Sequence, residues 1–104
     1  MPRGRGKNKK NRDQHRVVGR TTDGKVVMTG LFKLYNSRGM PLEDILENCK
    51  DHNIVIDWIA FYREARDKGW TMDTFVRLLS DPLTDVYDSE YRDTVISTLK
   101  TIVR

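Results

Sequence analysis

Cys49 and His52 stand three residues apart in "NCKDH", a spacing that puts a thiol and an imidazole on one side of a helix. Two such groups can ligate a metal, but a zinc centre needs four ligands, or three and a water. The other histidine is His15 and there is no second cysteine, so no metal is expected and Cys49 reads as a small apolar residue of a helix face. Asp81, Asp85, Asp88, Glu90 and Asp93 gather carboxylates that suit Mg²⁺, yet helix caps and a solvated face account for them as well. No GxxxxGK[ST] loop and no GxGxxG after a strand is present. No nucleophile, base and orienting group can be assembled beyond coincidence of type. The expectation is a protein that is not an enzyme and takes no cofactor.

The chemistry that stands out is charge. "MPRGRGKNKKNRDQHR" carries seven Lys or Arg against one Asp. Over residues 1–20, eight basic residues face Asp13 alone, a net of +7, while residues 21–104 hold eleven basic and fourteen acidic residues, a net of −3. Such asymmetry marks a cationic tail that meets polyanions. Lys and Arg neutralise phosphates and release condensed counterions without reading sequence. Arg3, Arg5, Lys7, Lys9, Lys10, Arg12, Arg16 and Arg20 are therefore the candidate nucleic-acid contacts, to RNA or DNA, with little sequence preference. Few of residues 1–20 can be buried, so a disordered arm is predicted there, followed by a helical domain over 21–104.

Trp58, Phe61, Tyr62 and Trp70 are aromatics of the kind that stack on unpaired bases, but at helical spacing they read as core. Trp70, just past Gly69, is expected to be partly exposed, and with Asp57 and Glu64 it forms the candidate protein-partner surface.

The positioning elements are mostly helices. Leu42, Ile45, Leu46 and Cys49 recur at i, i+3, i+4 and i+7 after Pro41. His52-Asn53 ends that helix, and a second is predicted over about 55–68 and stopped by Gly69. Thr71 is expected to cap a third through Met72, Phe75, Val76 and Leu79, broken at Asp81-Pro82. Ser89 is expected to cap a last helix with Tyr91, Val95, Leu99 and Ile102 inward. Residues 17–30 are ambiguous: Asp23-Gly24 between two Val-Val pairs signals a hairpin, while Val27, Leu31, Leu34 and Tyr35 sit at helical spacing. The compromise is an extended piece or hairpin near 17–28, then a helix capped by Thr29 and ended by Gly39. The fold class predicted is all-α, a small bundle of four to five short helices behind a basic arm.

Residues 41–57, "PLEDILENCKDHNIVID", resemble the helix–turn–helix segment of phage late-transcription coactivators, which act on host RNA polymerase. A basic arm on a compact helical domain also resembles small accessory proteins of large tailed phages. The resemblance implies an alternative to direct nucleic-acid binding, a regulator or inhibitor docking on a protein such as RNA polymerase, and it transfers no site residues. Exposed positions early in the 55–68 helix, Asp57 and Ala60, are not those of a groove-reading helix. No apolar run approaches the roughly 18 residues of a membrane span. The location expected is cytoplasmic or nucleoid-associated, with no membrane partner.

Overall fold

The computed structural model describes residues 16–102. They form three strands and five helices in the order β1 (Arg16–Arg20), β2 (Val26–Thr29), α1 (Phe32–Arg38), α2 (Leu42–Asp51), β3 (Ile54–Ile56), α3 (Trp58–Asp67), α4 (Met72–Val86) and α5 (Ser89–Ile102). The all-α expectation is thereby corrected: a mixed three-stranded sheet, ordered β1-β2-β3, accompanies the helices.

The hairpin signal at Asp23-Gly24 decides residues 16–29. Thr21 N donates to Lys25 O at 2.8 Å and Gly24 N to Thr21 O at 3.0 Å, which closes a three-residue loop. Its last residue sits at φ 87°, where only glycine is unstrained. Thr21 Oγ1 fastens the loop, accepting from Lys25 N at 3.0 Å and donating to the Asp23 carboxylate. Val17 pairs with Met28 and Gly19 with Val27, so Val18 is bulged out of the antiparallel ladder. Arg16 to Arg20, expected within the disordered arm, are thus strand residues with exposed side chains.

β2 has a second partner. Ile54, Val55 and Ile56 pair in parallel with Val26, Val27 and Met28. Val55 and Ile56 were expected to open the 55–68 helix, with Ile54 just ahead of it. All are β-branched, which favours the pleated backbone over the helix. Asn53, at φ 57°, turns the chain out of α2, and α3 starts only at Trp58. Asp57 makes that start, its Oδ1 accepting from Ala60 N at 3.1 Å. A strand therefore separates α2 from α3, and the two are not joined by the tight turn of a helix–turn–helix.

Other boundaries shift for local reasons. Thr29 ends β2 instead of capping α1, which has Leu31 at its N-cap without a side-chain bond. Asp88, not Ser89, caps α5, its Oδ1 accepting from Tyr91 N at 2.7 Å. α4 runs straight through Asp81-Pro82. An interior proline costs about 3 kcal/mol. Leu79, Leu83 and Val86 continue the buried stripe begun by Phe75, and each full burial contributes about 1.5–3 kcal/mol, so the stripe outweighs the break. At the other end of α3, Gly69 N bonds Arg66 O and Trp70 N bonds Ala65 O, the paired bonds of a Schellman stop.

The core is apolar throughout, with no buried polar or charged residue among the described ones. α2 packs on α4, α4 on α5, and α1 and α5 on α3. Phe32, Phe61 and Phe75 fill the middle, the last ringed by Trp58, Tyr62 and Trp70. Trp58 Nε1 donates to the Tyr91 hydroxyl at 3.0 Å, which satisfies its polar end. Ile102, expected inward, is exposed.

Candidate nucleic-acid interface

Two of the eight predicted phosphate contacts, Arg16 and Arg20, fall within the described residues. Arg3, Arg5, Lys7, Lys9, Lys10 and Arg12 lie outside them. β1 holds its two arginines at its ends with exposed side chains, and Arg20 Nη1 donates to Gly24 O at 3.2 Å across the hairpin. Lys25, Lys33 and Arg38, on the hairpin and α1, are exposed too. Sequence reasoning assigned these three to the acidic body because the charge boundary was drawn at residue 20. Drawn at Arg38, where α1 ends, it gives eleven basic against two acidic residues, a net of +9 for residues 1–38 and −5 for the rest. The signal was present in the sequence, but only the hairpin–helix unit shows where to cut.

Acidic residues lie elsewhere in the fold. Glu43, Asp44 and Glu47 stand on α2, Asp81 and Asp85 on α4, and Asp88, Glu90 and Asp93 at the start of α5. Glu43 and Asp85 approach closely enough to share a hydrogen bond, which raises the Glu43 carboxyl above its ordinary range. No group of three or more His, Cys, Asp and Glu among the described residues is placed to hold a metal ion. Cys49 is buried and Val86, Lys50 and Tyr87 close over that end of α4: Lys50 Nζ donates to Val86 O at 2.8 Å and lies over the Tyr87 ring. His52 is exposed, with Nδ1 2.9 Å from Asn48 O.

The candidate partner residues take separate positions. Asp57 is the α3 cap. Trp70 is half-buried, its ring edge-on to Phe32 at 5.2 Å and to Tyr35 at 5.8 Å. Glu64 is the one with unspent chemistry. It lines a groove of about 360 Å³ bordered by Arg16, Thr29, Gly30, Phe32, Lys33 and Asn36, with Ser37, Asp67 and Lys68 completing the rim. Gly30, at φ 81°, turns the chain from β2 into α1 and brings bare backbone to the wall. Glu64 Oε1 is closed off from solvent, and the carboxylate lies against the backbone N–H groups of Gly30 and Phe32 where the chain enters α1. Burial raises the Glu64 carboxyl above its ordinary range, and the nearby Asp57 charge adds to this. The backbone N–H groups of Phe32 and Gly30 and the Lys33 ammonium act in the other direction. The groove thus brings together one end of β1, the α1 surface and the second half of α3, three segments that sequence reasoning treated apart.

Among the described residues no helix is long and apolar enough to cross a membrane. No family profile, curated protein or solved structure matches this chain.

Proposed function

We propose that this protein is a small nucleic-acid-binding accessory protein whose cationic N-terminal region contacts phosphates with little sequence preference. The observation that carries this reading is the segregation of charge. The basic run does not stop where the described fold begins. It continues onto β1, the hairpin loop and α1 through Arg16, Arg20, Lys25, Lys33 and Arg38, all exposed. The hairpin and α1 therefore extend the N-terminal cations with cations held at fixed spacing. A phosphate backbone carrying one charge every few ångströms meets such a surface favourably. The acidic α2, α4 and α5 surfaces repel the same backbone and restrict it to one part of the molecule.

The test is fluorescence anisotropy with labelled duplex DNA, single-stranded DNA and single-stranded RNA across a salt series. With six to eight cations engaged, the slope of log K against log salt on duplex is about −5 to −7. Replacing Arg3, Arg5, Lys7, Lys9, Lys10 and Arg12 with Gln should flatten that slope by about 5 without changing the melting temperature. Absence of binding to all three ligands overturns the proposal and favours a protein partner.

A further inference from the structure

We infer that the β1–β2 hairpin seats an unpaired base over Gly19, against Val18 and Val27, and that the nucleic acid this protein holds is therefore single-stranded. The inference rests on the reading above and names the form of nucleic acid that the same cationic region takes.

Three observations carry it. Val17, Val18 and Ile102 are the exposed large apolar side chains among the described residues, and two of the three lie in β1, with Arg16 before them and Arg20 after. Next, the ladder is broken at this point. Val17 pairs with Met28 and Gly19 with Val27, so Val18, 50 % exposed, stands out of the ladder with no residue opposite it. Last, the fold gives no reason for the glycine. The glycines at positive φ are Gly24, Gly30, Gly39 and Gly69, not Gly19. A side chain added at Gly19 would meet nothing of the described fold within 4 Å beyond its chain neighbours. The bulge does not need it either, since glycine belongs to the bulge form whose first residue is left-handed. A glycine inside a strand weakens it, and one that neither backbone nor packing requires marks a place where a ligand comes up against the main chain. Directly across from it, Val27 has no side chain covering that flank.

The surrounding charge says what the ligand is. Apolar side chains set among cations match a ligand that is apolar on its faces and anionic along its length. A single strand offers both, because its bases are uncovered and a phosphate follows each of them. In a duplex the base faces are closed by stacking. A second copy of this chain is disfavoured: antiparallel pairing of two β1 strands about Val18 sets Arg16 of one opposite Arg20 of the other, and like charges so placed repel. Lys25 lies two residues from Val27, hence on the same face of β2, and is exposed. Arg20 spends one of its five N–H donors on Gly24 O. These two supply the phosphate contacts nearest the seat. β1 begins just after the run Arg3 to Arg12, so a strand held by that run continues onto Gly19.

The test uses the full chain with fluorescein-labelled 12-nucleotide oligo-uridine and oligo-thymidine, which separate RNA from DNA, and a 12-base-pair duplex. Charge alone favours the duplex, the denser array of phosphates. The single strands should instead bind about tenfold tighter than the duplex. Gly19→Val should weaken both single strands about tenfold, leave duplex affinity and the salt slope unchanged, and melt no lower than the parent, since valine suits a strand and meets nothing there. A tenfold loss corresponds to roughly 55 Å² of apolar surface at about 25 cal/mol per Å², an area that one base face against two valines can bury. Val18→Thr keeps the branched shape, adds a hydroxyl, and should cost about threefold on the single strands alone; it decides the matter if Gly19→Val melts lower. Duplex binding as tight as single-strand binding, or single-strand affinity untouched by the variants, overturns the inference, and so does equal competition by an oligo-glutamate of the same charge. If the salt slope stays steep in that case, the phosphate-binding reading stands without the base seat. If the variants weaken single strands that bind with little salt dependence, the reverse holds. If none of the three ligands binds, both fall.

Discussion

Phe75→Ala is the substitution that most directly tests the helical core. Phe75 is fully buried in α4. Its ring lies 5.3 Å from Tyr62, 6.2 Å from both Trp58 and Phe61, and 6.4 Å from Trp70, all edge-on. Truncating a buried phenylalanine costs about 3–5 kcal/mol, the sum of lost transfer energy and the cavity left behind. Edge-to-face pairs contribute about 0.5–1.5 kcal/mol each beyond burial, which places this site in the upper half of that range. A domain of this size has about 5–15 kcal/mol in all, so the variant should sit near the edge of folding. A loss of about 4 kcal/mol lowers the melting temperature by roughly 15–30 °C. Urea unfolding followed by tryptophan fluorescence reads the change, since Trp58 and Trp70 both pack edge-on to the ring. Phe75→Leu keeps most of the volume and should lose less than about 1.5 kcal/mol. That variant should bind nucleic acid as the parent does, because the aromatic cluster is core and not a base-stacking platform. A loss below about 1 kcal/mol for Phe75→Ala would refute the packing argument. Weakened binding by a folded Phe75→Leu would refute the separation of core from interface.

Two further outcomes follow from buried groups. Cys49 is 2 % exposed and burial pushes its thiol up to about 11, so a thiol reagent at pH 8 should leave the native protein unlabelled and label it fully in denaturant; rapid native labelling would contradict the placement of Cys49 under α4. The Glu64 carboxyl is raised above its ordinary value of 4.5, so the folded protein holds this proton more tightly than the unfolded chain. The associated stability is fully present below pH 4.5 and is lost as pH rises through the higher folded value. The melting temperature of the parent should therefore fall relative to Glu64→Gln as pH rises above 4.5, and parallel curves would show that Glu64 is solvated in the native state.

The helices were legible where one stripe of residues decides them. Leu42, Ile45, Leu46 and Cys49 recur at helical spacing and are all buried on α2. Gly39 and Gly69 do stop helices, both at positive φ. The sheet was half legible, because its hairpin is a local event and its parallel pair is not. Asp23-Gly24 announces β1 and β2 from five residues of sequence. Nothing local announces that Val26 will pair with Ile54, with two helices between them. A run of three apolar residues fits a buried strand or a helix turn equally, and only the free edge of β2 decides between them. Pro82 misled for the opposite reason. A local rule was applied where burial of Leu79, Leu83 and Val86 carried more free energy than the rule costs.

The same distinction governs the interface. Charge is a sum over residues, so the cationic character of the N-terminal region could be counted directly. A groove is a juxtaposition, and Glu64 belongs to one only because the β1–β2 hairpin and α1 lie against α3. In sequence Glu64 is one acidic residue in a charge-balanced helix, and its exposure on a helical wheel is unremarkable. In the fold the turn at Gly30 lays backbone beside it, closes Oε1 off from water and leaves Arg16, Lys33 and Lys68 along the rim. Phosphate contacts alone hold a nucleic acid without choosing among sequences. Among the described residues, Glu64 is the carboxylate that the fold sets against the backbone at the start of α1 and partly removes from water, a placement that no count of charges along the chain contains.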